Sequence, residues 1–210
     1  MSDEEAWTLE LADGADELSG WILVPSGMNA QQRRTWLEET STDLAGTTGW
    51  DGTPLPDETT RRMLSEALDE RAASESLAVL LAWPPLPGAT ATCHIDLLPS
   101  EAMPDWTETD AFVRATDMPH LGEGLQITTR RTVLLDGDAP VDLAGVHLIF
   151  DDGQVTVLLS LRETLTALVS LALPAMVAVA QVLRVVRSSD GAAFRGARHG
   201  GLVDEMWPAE

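Results

Sequence analysis

Hydrophobic spacing changes several times along the chain, and each change marks an element. Trp7 to Leu11 and Trp21 to Pro25 are short apolar runs separated by the acidic ADGADELSG, which predicts two strands of a hairpin. Ser26 to Gly46 shifts to helical spacing, with Trp36, Leu37, Thr40 and Leu44 on one face. Asn29 followed by Gln32 forms a capping-box pattern at its start. TTGWDGTPLPD, 47–57, is loop by its glycines and prolines. Asp57 is placed to cap a second helix at 58–74, whose inward stripe holds Met63, Leu64, Ala67, Leu68 and Arg71.

Beyond Ser76 the period is that of strands. LAVLLAW, 77–83, is a continuous apolar run stopped by Pro84, Pro85 and Pro87. In ATATCHIDLL, 89–98, Ala91, Cys93, Ile95 and Leu97 alternate with Thr92, His94 and Asp96, as in a half-buried strand with a polar outer face. Residues 99–124 carry no clear period and are expected to be irregular. LQITTRRTVLL (125–135), GVHLIF (145–150) and QVTVLLSL (154–161) follow, the last two joined by the turn signal Asp151-Asp152-Gly153. Pro174 suits the first turn of a terminal helix ending near Arg187.

Strands joined by short turns, with helices set apart from them, imply an α+β fold. The expectation is an antiparallel sheet of about six or seven strands with helices on its faces, an α/β/α sandwich. Residues 1–187 form its single domain and 188–210 a polar, Gly-rich tail around Trp207. The all-apolar circumference of PAMVAVAQVLRVV places the last helix on an inner face.

GVHLIFDDGQVTVLLSL followed by LPAMVAVAQVLRVVR resembles the end of PsbP-like proteins, the α/β/α family that includes the Ran-binding Mog proteins and bacterial lipoprotein relatives. The early strand pair and the helix at 28–44 are similar to that family's opening. The helix at 58–74 is additional, and no secretion or lipobox signal is present. The resemblance lies in element order and implies no shared catalytic constellation, so no functional residue carries over.

Charge changes the picture more than composition does. Thirty-four acids face thirteen bases, all arginine, for a net charge of −21. That field repels phosphate backbones and anionic membranes, so nucleic-acid binding is disfavoured; the acids read as a solvated face that keeps the protein soluble or, alternatively, as a docking surface for a basic partner. Residues 1–105 carry −15 and residues 106–210 carry −6. Thr164 to Leu183 runs twenty residues without a charge, but Pro174 interrupts it and four arginines follow, so a buried helix is expected and not a membrane span. A single cysteine and an acidic N-terminus without an apolar stretch point to the cytoplasm.

Candidate chemistry is sparse. His94 and Asp96 share a strand face and offer two metal ligands, but a third would have to come from His120 or His147 on separate segments. Cys93, on the apolar face, is expected to be a buried hydrophobe. ARHG at 197–200 has the letters of a phosphatase motif in the wrong place, and no GxSxG, Walker loop or GxGxxG occurs. The lack of lysine excludes Schiff-base chemistry. No cofactor and no metal are expected, and no catalytic set is assigned. Trp50 in TGWDG, Trp83 in AWPPLP and Trp106 in PDWTE lie in loop contexts where an exposed ring serves binding. Arg130 and Arg131 point to opposite faces, one of them toward the helices, where an anion or an acidic partner would meet it. The reading is a non-catalytic module that binds another, basic protein. The alternatives are a small-ligand-binding domain and a hydrolase using His94 or His147.

Overall fold

The computed structural model describes residues 7–12, 18, 20–85, 90–100, 111–134 and 140–197. Its elements are β1 (Trp7–Leu11), β2 (Trp21–Val24), α1 (Ala30–Asp43), α2 (Asp57–Ala73), β3 (Ala78–Ala82), β4 (Thr92–Pro99), β5 (Ala111–Met118), β6 (Gly122–Leu134), β7 (Pro140–Asp151), β8 (Val155–Leu165), α3 (Thr166–Val182) and β9 (Leu183–Arg187). Seven strands form one antiparallel sheet in the order β2-β3-β4-β8-β7-β6-β5. The fold is therefore α+β, as the element pattern predicts. Among the described residues no helix is long and apolar enough to cross a membrane.

The sheet is sandwiched, which explains its long apolar runs. In β8, Val157, Leu159 and Leu161 join Leu80, Cys93, Ile95 and Phe150 in the larger core, against Leu168, Ala172, Met176 and Val179 of α3. On the opposite face Val24, Val79 and Leu81 meet Leu64, Ala67 and Leu68 of α2. Helix α1 packs on α2 and begins with the expected capping box: Asn29 accepts from the Gln31 and Gln32 amides, and Gln32 from the Asn29 amide.

Several expectations are corrected. The runs at 7–11 and 21–25 do not pair with each other. β1 joins β9 as a separate two-stranded ribbon, and β2 joins β3 at the sheet edge. The last helix is α3 at 166–182, so Pro174 lies inside it on an exposed position and not in its first turn. Leu183 to Arg187 leave the helix because β-branched Val185 and Val186 pair with β1. The stretch expected to be irregular contains β5, which turns at 119–121 into β6 through Gly122 at φ +81. Asp57 is not the cap of α2: Pro56 holds that position, and Asp57 and Glu58 occupy the first turn, where the helix dipole favours acids. Beyond β9, the segment to Ala197 folds back, burying Phe194 and bonding the Gly196 amide to Leu121 O at 2.7 Å.

Candidate functional site

Three places in this fold can carry chemistry: a polar stripe under α2 and one cleft on either flank of α3. The stripe overturns the expectation of a polar outer face on β4. Helix α2 covers that face, and His94 has no exposed surface. Its Nε2 lies 2.7 Å from Glu70 Oε1 and its Nδ1 2.9 Å from Ser76 Oγ. The hydrogen bond from His94 holds the Glu70 carboxyl below its usual range, against partial burial that raises it. A carboxylate only accepts, so Nε2 carries a proton toward Glu70, while Nδ1 and the Ser76 hydroxyl share a second hydrogen bond. Serine, histidine and acid stand in triad order, yet Ser76 and His94 are both buried and no acyl group can reach the hydroxyl. With both ring nitrogens engaged, His94 presents no ligand to a metal. The set pins α2 to the sheet.

Next along the stripe, Ser160 lies opposite both His94 and His147 in register. Ser160 Oγ is 2.7 Å from His147 Nδ1, and burial pushes the His147 imidazole down to about 4. Cys93 faces the other core and is fully buried, which pushes its thiol up to about 12 and removes it as a nucleophile.

The clefts follow from dimensions. Seven strands span about 29 Å, and one helix with its side chains covers about 10–12 Å of that width. Helix α3 lies on β7 and β8 and does not span the sheet; the β1–β9 ribbon helps bury Leu80, Cys93 and Ile95 beside it, and a cleft remains at each flank. On the β2 side is a cleft of about 430 Å³ lined by all of β1, by Leu23, Val24, Pro25 and Ser26, and by Leu80, Ile95, Val179 and Leu183. Leu11, Leu23 and Leu77 line it and are exposed, Leu23 at 57%. Within the described residues β1 pairs only with β9 and β2 only with β3. Among the described residues, each strand therefore has one edge without a strand partner. Arg71 also borders the cleft: it is 9% exposed and, among the described residues, donates to backbone carbonyls, Ser74 O at 3.4 Å and Leu77 O at 3.3 Å.

The residues nominated from sequence are not gathered here. Trp50 is exposed at 44%, on a turn whose amide meets Pro85 O at 3.3 Å. Trp83 is corrected to a core residue: at 7% exposure it packs with Leu64 and Leu81, because α2 closes over the end of β3. Trp106 lies outside the described residues. Arg130 is exposed in the second cleft, while Arg131, on the other face, pairs with Glu163. Nothing in the sequence singles out Leu11, Leu23 and Leu77, because a leucine within an apolar run carries no sign that its neighbours leave it uncovered. No family model, curated protein or solved structure matches this chain.

Proposed function

We propose that this chain is a non-catalytic binding module that takes up an extended segment of a partner protein in the cleft between β1 and β2. The observation that carries this reading is the coincidence of two strands with unpaired edges and three exposed leucines around one apolar cleft. An added strand gains affinity from main-chain hydrogen bonds and specificity from pockets for alternate side chains. Leu9, Leu18 and Leu77 line the cleft with apolar surface that such side chains can reach. Basic residues flanking the segment fit a chain of net charge −21, and salt should then weaken the association. Exposed Trp50 offers a second contact away from the cleft. The buried, single cysteine supports a reducing, cytoplasmic setting. The PsbP-like resemblance stays a proposal from element order, and no residue role is taken from it.

The test is a random peptide display selection followed by fluorescence anisotropy on the enriched sequences. Peptides with alternating apolar residues and basic flanks are expected. Leu23→Asp should weaken them by about tenfold or more, since burying one leucine is worth about 1.5–3 kcal/mol. Leu134→Asp, at an exposed leucine that does not line this cleft, should not. Failure to enrich any peptide, or equal binding by Leu23→Asp and the unaltered chain, would overturn the proposal.

A further inference from the structure

The second cleft, on the β5 side of α3, has a different chemistry. It holds about 600 Å³ between α3 and the strands β5, β6 and β7. Among the described residues its lining includes Arg114 and Arg130 and no acid, in a chain whose acids outnumber its arginines 34 to 13. Arg33, Arg62, Arg131 and Arg187 each have a carboxylate partner. Among the described residues no carboxylate is paired with Arg114 or Arg130.

Arg114 is held in place. It lies opposite Gln126 in register, and the buried Gln126 Oε1 accepts from its Nε at 3.0 Å and from one terminal nitrogen at 2.6 Å. A neutral amide fixes the guanidinium plane without neutralising its charge, and the other terminal nitrogen remains available for an oxyanion. Leu173 of α3, part-exposed, is the apolar neighbour in the cleft, and Phe112, 54% exposed, stands on the rim.

We infer that this cleft binds a small amphipathic anion, a carboxylate or phosphate monoester with a hydrocarbon body. The head group sits on Arg114, the body lies along Leu173 and Phe112, and Arg130 supplies the second positive charge. The charge complementarity is local, since the net field of the protein opposes anions. This site is separate from the β1–β2 cleft, and neither reading depends on the other.

The experiment is isothermal titration of the full chain with decanoate, decyl phosphate, decanol and inorganic phosphate, below micellar concentrations. Decanoate or decyl phosphate should bind about tenfold or more tightly than decanol and than inorganic phosphate, and their ranking identifies the head group. Arg114→Gln and Arg130→Gln should each weaken the amphipathic anion while leaving decanol unchanged, and Leu23→Asp should have no effect. If Arg114→Gln does not fold, as judged by circular dichroism, Arg130→Gln decides the matter. Anion binding that is absent, no better than decanol, equalled by inorganic phosphate, or indifferent to the folded arginine variants would overturn the inference.

Discussion

Lowering the pH from 7.5 to 5 should destabilise the fold through His147 in particular. His147 lies on β7, its Nδ1 2.7 Å from Ser160 Oγ, and burial pushes its imidazole from 6.5 down to about 4. The unfolded chain therefore takes up the proton first. The contribution of the neutral ring is complete above 6.5 and is lost progressively as pH falls toward 4. The whole interval corresponds to about 3 kcal/mol, of which about 2 kcal/mol is lost by pH 5. For a chain of this size that is a fall in Tm of about 4–8 °C. Glu70, Asp69 and Asp51, whose carboxyls are held low by hydrogen bonds from His94, Arg33 and Thr53, lose their contributions only at lower pH, within the carboxylate range. The assay is urea unfolding of the unaltered chain and His147→Gln across this range. The variant cannot titrate there, so the difference between the two should shrink by about 2 kcal/mol between pH 7.5 and 5. Parallel pH profiles would refute the reasoning, because they would mean that the imidazole is not held neutral by burial.

Val179→Asp should abolish cooperative folding, since Val179 is 2% exposed between α3 and the sheet and an unpaired buried carboxylate costs on the order of several kcal/mol. An unchanged melting temperature would contradict the placement of α3. Glu70→Ala should cost about 1–3 kcal/mol at pH 7 by leaving the buried His94 Nε2–H and the Thr92 hydroxyl without their shared acceptor. Urea midpoints measure it, and no change would show that the stripe does not pin α2.

Features set by neighbouring residues are legible in the sequence. Asn29 and Gln32 mark the start of α1, and the alternation of Ala91, Cys93 and Ile95 identifies the core face of β4. The inward stripe of α2 includes Arg71, which the structure buries. What the sequence conceals depends on contacts distant along the chain. Nothing near Trp7 indicates that its strand partner is Arg187, and nothing within LRVVR separates a helix end from a strand until β1 lies beside it. The polar residues of β4 show that a face can be wet, not that α2 will cover it, so His94 reads as a surface residue from its neighbours alone. The two clefts are consequences of sheet width against helix width. Arg130 is noticeable as one of two adjacent strand cations that must face opposite ways, but the Arg114–Gln126 contact exists only through register.

The most direct test of the binding reading is amide hydrogen exchange of the full chain, with and without a saturating selected peptide. An added strand bonds to backbone groups that are otherwise open to water, so protection should rise in Trp7–Leu11, in Trp21–Val24, or in both. Edge strand β5 serves as the internal control and should not change. Protection that rises at β5, or that leaves both β1 and β2 unaltered while the peptide is bound, would contradict the account.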